Sequence, residues 1–241
     1  MESVNGKLKA NVPDDKYRTT YEIFVGSFYD SDGDGIGDLK GVEEKLDYIK
    51  DLGFNEIWLM PICPSPTYHK YDVSDYEAID KDYGTMEDFE SLVNACHKDG
   101  IKLITDLVLN HTSVEHPWFK QAKEYLKSLK DGEKPDAKKC PYVNYYNFTR
   151  DGSESGYAQL AGSMWYYEAQ FWEGMPDLNL DNKAVRNEIK KITDFWLDKG
   201  VDGFRLDAVT SYYTGNEEKN IEFLKWLNDE VKAKKPDAYM V

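Results

Sequence analysis

Two short segments, in which apolar strands end in charged and polar residues, constrain the fold of this chain most. Residues 106–111 read DLVLNH and residues 203–208 read GFRLDA, and an apolar stretch leads into each. Apolar strands that alternate with helical segments are typical of a parallel sheet covered on both faces. Because functional sites in such folds gather at the C-terminal ends of strands, we expect the polar residues of both segments to form one site.

The charged residues of these segments are the first candidates for catalysis. Arg205 and Asp207 lie two positions apart on one predicted strand, so their side chains share a face of the sheet. A guanidinium beside a carboxylate keeps the carboxylate ionised, which suits a nucleophile. The alternative is a structural Asp–Arg pair at a strand end. Asp106 and His111 belong to the other segment and are expected nearby.

The alternation of strands and helices runs through most of the chain. Apolar residues at helical spacing predict a helix after each of four strands. The second of these helices is predicted to begin after Thr85, a candidate helix cap. The strands are predicted at residues 21–28, 55–60, 101–108 and 201–206, with a fifth beginning at 238. Four strand–helix units make the N-terminal half of a (β/α)₈ barrel. Half a barrel leaves its first and fourth strands at open edges.

Residues 112–182 interrupt this rhythm. The segment is too long for an ordinary connection and too rich in Tyr, Trp, Gly and Asp for a linker. We therefore predict an inserted domain at 112–182, with the barrel domain formed by residues 1–111 and 183–241.

Composition excludes several classes of function. The formal net charge of −15 argues against a nucleic-acid partner and fits a neutral substrate. No apolar run approaches the 18 or so residues of a membrane span, and no signal peptide follows Met1. The three cysteines lack metal-type spacing and allow at most one disulfide, so free buried thiols are expected.

An acidic loop follows the first predicted strand. Asp30, Asp32, Asp34 and Asp38 occupy positions 1, 3, 5 and 9, and the backbone carbonyl of Ile36 falls at position 7. This is the ligand pattern of a calcium loop, although the glutamate at position 12 and the preceding helix of an EF-hand are missing. We expect the loop to bind structural Ca²⁺, with Mg²⁺ as an alternative ion and an acidic glycine-rich turn as the alternative structure.

Four motifs in order resemble the signature regions of the α-amylase family, glycoside hydrolase family 13. They are YDVSDY at 71–76, DLVLNH at 106–111, MPDLN at 175–179 and GFRLDAV at 203–209. The resemblance implies a retaining glycosidase built on a (β/α)₈ barrel, with the inserted segment as the family's domain B. It also implies a metal loop after the first barrel strand, as in the oligo-1,6-glucosidase branch.

The resemblance also assigns roles to individual residues. It implies that Asp207 is the nucleophile, supported by Arg205, and that His111 and Tyr71 bind the sugar in the −1 subsite. Asp106 is expected to support the site by hydrogen bonding. In many members of the family, the residue equivalent to Asn110 binds calcium between the barrel and domain B.

The general acid of the family follows the fifth strand as a Gly-Glu pair, which we expect beyond Val241. The chain is thus predicted to be the N-terminal part of a longer enzyme, to need the C-terminal half of the barrel, and to be inactive alone. A starch-degrading enzyme is expected outside the cell or at its surface, with a cytoplasmic location as the alternative.

The family implies substrates with α-glucosidic bonds. Three features favour α-1,4 cleavage in starch and maltodextrins, as in α-amylases. They are Ala208 after the nucleophile, the MPDLN motif, and Tyr68 at the position where exo-acting oligo-1,6-glucosidases tend to have an acidic residue. The alternatives are a cyclomaltodextrinase, α-glucosidase or transglycosylase of the same family, or a non-catalytic amylase-like binding protein.

Overall fold

A single parallel sheet forms the centre of the molecule. The computed structural model describes residues 17–241. Its strands in chain order are β1 (Thr20–Ile23), β2 (Glu56–Leu59), β3 (Lys102–Leu107), β4 (Phe148–Thr149), β5 (Tyr157–Gln159), β6 (Tyr166–Glu168), β7 (Gly203–Leu206) and β8 (Tyr239–Met240). The parallel sheet has the order β1-β2-β3-β7-β8, so successive barrel strands are neighbours. The predicted α/β class is confirmed.

Six α-helices occur within the described residues. They are α1 (Leu39–Glu44), α2 (Leu46–Asp51), α3 (Met86–Lys98), α4 (Pro117–Ser128), α5 (Lys183–Asp198) and α6 (Glu217–Lys234), with short 3₁₀ turns at Val25–Ser27 and Pro141–Asn144. In α5, Val185, Ile189, Ile192 and Trp196 are buried at spacings of four, three and four residues, which places them on one face. That stripe packs into the common core.

Three details differ from the sequence-based expectation. The first strand is shorter than predicted, because the chain leaves the sheet after Ile23 and forms the 3₁₀ turn at Val25–Ser27. The single helix predicted after it is divided into α1 and α2 at Lys45, whose backbone is not helical. The fourth barrel strand, β7, is not an edge, because β8 pairs with it; within the described residues the edges are β1 and β8.

Helix α3, the second helix that the sequence predicts, begins at the expected residue. The hydroxyl of Thr85 accepts a hydrogen bond from the Asp88 amide at 3.2 Å, and the Asp88 carboxylate accepts one from the Thr85 amide at 2.8 Å. This reciprocal capping box satisfies two backbone donors that the first helical turn leaves free.

The segment between β3 and α5 forms its own small sheet. β6 lies between β4 and β5 and pairs antiparallel with both. Aromatic side chains fill the space between this sheet and α4, with the Phe119 ring 4.9 Å from that of Tyr167 and 5.1 Å from that of Tyr146. The exact division at residues 111 and 182 stays a prediction.

The last strand pair of the sheet depends on one glycine. Gly203 begins β7 with φ of +148°, and an added Cβ would overlap the backbone of Tyr239 on β8. Only glycine combines this conformation with such a close approach of two backbones.

We expect Gly203→Ala to lower the free energy of unfolding by about 3 kcal/mol, because it adds a backbone clash to a strained φ. The matched control is Gly215→Ala, where φ is +74° and no atom lies within 4 Å of the added Cβ. That variant carries the φ strain alone and should cost about 1 kcal/mol. Urea unfolding of both variants measures the difference, and equal losses would contradict the proposed clash.

Candidate active site

Arg205 connects two carboxylates at the C-terminal end of the sheet. Its Nη1 donates to Asp207 Oδ1 at 2.7 Å and to both oxygens of Asp106, at 3.0 and 3.2 Å. Arg205 and Asp106 are direct partners in the register of β7 and β3. Strand pairing thus brings together two residues that lie 99 positions apart in the sequence.

Asp106 lies at the bottom of this site. Its side chain is completely buried, and its Oδ2 also accepts from the indole Nε1 of Trp58 at 3.2 Å and from the hydroxyl of Tyr71 at 3.4 Å. The Arg205 guanidinium carbon lies 4.9 Å from the centre of the Trp58 ring. Asp106 therefore holds Arg205 and Tyr71 in position while Asp207, about one-fifth exposed, faces the opening.

Burial decides the protonation of this group of residues. It raises the pKa of the Asp106 carboxyl to about 7, with the Asp207 charge adding to the increase and Arg205 opposing it. Although burial disfavours the charged guanidinium, Asp106 and Asp207 raise the pKa of Arg205. One guanidinium is shared by two carboxyl groups, so Arg205 stays charged, while burial makes Asp106 easier to protonate than an exposed carboxyl group.

His111 contacts the backbone of Tyr71 at this site. Its ring is buried, its Nε2 lies 3.2 Å from the carbonyl oxygen of Tyr71, and its Nδ1 lies 3.3 Å from Asn110 Nδ2. Burial lowers the pKa of His111 to about 4, so the ring is neutral near pH 7. A neutral imidazole that donates through Nε2 and accepts through Nδ1 satisfies both contacts.

Comparison with known proteins gives the family. The model of the α-amylase catalytic domain matches residues 22–241. The chain belongs to the α-amylase family. The match bears out the resemblance in the four motifs, and the order of the parallel strands agrees with the N-terminal part of this family's barrel.

Individual relatives agree with this assignment. The chain is 48 % identical over 235 residues to Alpha-amylase 3 of Dictyoglomus thermophilum, covering 96 % of this chain and 44 % of that protein. It is 42 % identical over 207 residues to the oligo-1,6-glucosidase of Parageobacillus thermoglucosidasius, covering 80 % and 35 %. The structure of Eubacterium rectale Amy13B superposes with a TM-score of 0.92 at 62 % identity, covering 94 % and 44 %. The chain thus spans less than half the length of these relatives.

The residues predicted for the site fall into two groups in this α-amylase family chain. Asp106, Arg205, Asp207 and Tyr71 lie within one hydrogen-bonded cluster, and His111 joins it through the backbone of Tyr71. Their chemical roles stay predictions. The acidic loop is separate and belongs to the turn between β1 and α1.

The acidic loop brings three of its five predicted ligands together. Asp30, Asp32 and Asp38 each place a carboxylate oxygen within 4.8 Å of the others, whereas Asp34 accepts a hydrogen bond from the Ile36 amide at 2.8 Å. The amides of Gly35 and Gly33 lower the pKa of Asp30. Ca²⁺ binds oxygen ligands at roughly 2.3–2.6 Å, and oxygens spaced in this way can share one such ion.

Sequence reasoning missed a polar cavity between the insert and the barrel. The cavity measures about 270 Å³, and Glu168 of β6 lies in its wall beside Asn110 and Asp177. Asn110 Nδ2 donates to Asp177 Oδ1 at 3.0 Å, and burial, with the Glu168 charge adding to it, raises the pKa of Asp177 to about 7. No local signal distinguishes Glu168, because only the fold of the insert brings it to Asp177.

Trp58 is the second residue that was missed. It lies within the strand predicted at residues 55–60, and its indole faces the site and donates to Asp106. The strand period gave a usable signal, since Trp58 alternates with the buried Ile57 and Leu59 and so points the opposite way.

The raised pKa of Asp106 predicts a measurable pH dependence of stability. A carboxyl whose pKa is higher in the folded state stabilises the fold fully below its unfolded pKa of about 3.9, and this contribution is lost as pH rises through about 7. Asp106→Asn cannot titrate. Between pH 5 and 7 we expect the free energy of unfolding of the wild type to fall by about 2 kcal/mol relative to the variant. Urea unfolding at both pH values tests this, and parallel pH profiles would contradict it.

Proposed function

We propose that the protein is a retaining glycoside hydrolase that cleaves α-1,4-glucosidic bonds in starch and maltodextrins. The observation that carries the proposal is the bridge from Arg205 to Asp207 and Asp106 at the C-terminal end of the sheet, in a chain of the α-amylase family. Catalytic residues of (β/α)₈ enzymes come from this end of the strands. The substrate is a large polymer, which supports a location outside the cell.

In the proposed mechanism Asp207 is the nucleophile. One of its oxygens attacks the anomeric carbon as the bond from that carbon to the leaving oxygen breaks, and the leaving oxygen takes a proton from a general acid. Water then hydrolyses the glycosyl–enzyme ester and restores Asp207. Arg205 holds Oδ1 of Asp207 at 2.7 Å, which orients the carboxylate and stabilises its charge.

The sugar at the reaction centre is proposed to contact Tyr71 and His111. The Tyr71 ring is half-buried beside Asp106, and stacking against a sugar ring suits an aromatic face of this kind. His111 supports that ring because it binds the Tyr71 backbone. Since His111 is neutral near pH 7, it adds no positive charge to the site.

The general acid is proposed to lie outside these 241 residues. Retaining glycosidases place two carboxyl groups about 5–5.5 Å apart across the bond. Asp106 is the carboxyl nearest to Arg205 and Asp207, but it is fully buried and bonded to Arg205, Trp58 and Tyr71, so it cannot reach a leaving group. The 241 residues alone are therefore proposed to be inactive on starch.

Two observations bear on bond specificity. Tyr68 is 80 % exposed, with its ring 6.4 Å from that of Phe24. An open aromatic surface thus lies at the position where exo-acting oligo-1,6-glucosidases tend to have an acidic residue. This supports α-1,4 cleavage within chains. The second candidate is an oligo-1,6-glucosidase or α-glucosidase, and several relatives with those names at 40–44 % identity favour it.

We expect Asp207→Asn to abolish hydrolysis in the full-length protein, with loss of at least about 10⁴-fold in kcat, because no covalent intermediate can form. Asp229→Asn on the exposed face of α6 is the matched control and should retain activity. Assays on amylose and on isomaltose with the wild type distinguish the two candidate functions. Asp207→Asn activity within tenfold of wild type would refute the nucleophile assignment.

The acidic loop is proposed to hold one structural Ca²⁺. Asp30, Asp32 and Asp38 would be its carboxylate ligands, joined by Asp34 and the Ile36 carbonyl if the loop adjusts around the ion. Asp38 also caps α1, accepting from the Gly41 amide at 2.7 Å, so the ion would tie the loop to the first helix. Catalysis needs no metal in this proposal.

We expect added calcium to raise the melting temperature, because a ligand that binds only the folded state stabilises it by about 2.7 kcal/mol at one hundred times its Kd. Asp32→Asn should abolish the increase, since it removes one charge from the cluster without affecting a helix cap. Asp51→Asn, an exposed acidic residue of α2, is the control and should respond like wild type. No effect of a chelator on calcium-loaded wild type would mean that the loop is only a turn.

A further inference from the structure

The insert presents two exposed aromatic side chains next to the active site. Phe171 and Trp172 follow β6, and they are 51 % and 44 % exposed although both are large and apolar. The Phe171 ring lies 5.2 Å from the His111 ring, which fixes the position of this pair at the edge of the site. Neither residue serves the core, so their exposure calls for a partner.

The Trp172 side chain packs against a glycine. Gly174 lies directly against the six-membered ring of the indole, and a Cβ at that position would overlap its carbon atoms. The backbone of Gly174 is not in the left-handed region, so the glycine is required by space and not by conformation. One part of the indole is therefore supported by backbone while nearly half of the side chain stays open.

The turn that carries the indole is fixed to the rest of the molecule. The Met175 amide donates to the Trp172 carbonyl at 2.9 Å, which closes the turn. The Val114 amide donates to the Gly174 carbonyl at 3.0 Å, and the Tyr167 hydroxyl donates to the Glu173 carbonyl at 2.6 Å. These bonds join the turn to the segment after β3 and to β6, so the aromatic surface is held in place before any ligand binds.

We propose that Trp172, supported by Gly174, is a binding platform for a glucosyl unit of a neutral α-glucan chain, beyond the unit bound at Asp207. This proposal depends on the proposed glucan substrate and names a contact used only by longer chains. A flat, apolar and uncharged surface suits the face of a sugar ring, which carries C–H groups and no charge. Phe171 precedes Trp172 in the chain and its ring lies 5.2 Å from that of His111, so a glucan chain that extends from the site could reach the platform.

The test compares long and short substrates in the full-length protein. We expect Trp172→Ala to lower kcat/KM for maltohexaose about 5- to 10-fold, the loss expected for one aromatic contact, while 4-nitrophenyl α-glucoside changes less than about twofold. Trp172→Phe keeps a flat ring and should recover most of the difference. Gly174→Ala displaces the indole and should resemble Trp172→Ala. Met164→Ala, an equally exposed apolar residue of the insert at 55 %, is the control.

Equal losses on both substrates, or no loss on either, would overturn the platform. A binding measurement distinguishes failure of the Trp172 proposal from failure of the proposed hydrolase function. Calorimetry with maltohexaose, with and without Trp172→Ala in the Asp207→Asn background, measures the contact without turnover. If the wild type hydrolyses no α-glucan, the proposed function fails, and a Trp172-dependent affinity for maltohexaose still supports the platform. An affinity unchanged by Trp172→Ala would refute it.

Discussion

The site depends on one guanidinium placed between two carboxyl groups. Arg205 bonds to Asp207 on its own strand end and to Asp106 on the neighbouring strand, so it requires the β3–β7 pairing to be in correct register. A shift by one residue would turn Asp106 to the other face of the sheet. The completely buried Asp106 would then leave a guanidinium without its main partner, and this penalty makes the register specific.

The two ends of β7 carry different groups of charged residues. At its beginning, Asp202 lies in a cluster of charges and accepts from Lys102 and Lys235, at 3.1 and 3.0 Å, and from His97 at 2.7 Å. Burial disfavours the charged carboxylate, yet His97, the Leu103 amide and Lys235 lower the pKa of Asp202. The cluster joins β3, β7 and the end of α6, which fits the stabilising role of this face of a barrel, while the opposite face carries Arg205 and Asp207.

The insert completes the site rather than standing apart from it. The backbones of His111 and Asp177 form an isolated antiparallel bridge, and that of Tyr146 forms another with Leu178. Asp177 also accepts from Asn110, so the segment that follows β3 is joined to the end of the insert by both backbone and side chain. The position of Phe171 beside His111 follows from these connections. Among the described residues, no helix is long and apolar enough to cross a membrane.

The α/β class, the capped start of α3, and the grouping of five residues into one site could all be predicted from the amino-acid sequence. Those residues are Asp106, Arg205, Asp207, Tyr71 and His111. Strand period and helix caps are local, and four motifs in order define a family. The sequence missed the early end of β1, the division at Lys45 and the pairing of β7 with β8, because these depend on how the chain packs. Only the tertiary structure placed Trp58 against Asp106, Glu168 beside Asp177 and Gly174 under Trp172. The first two contacts join segments that are distant in the sequence, and no local pattern encodes their relative position. The third depends on the space beside the indole ring, which only the packed structure defines.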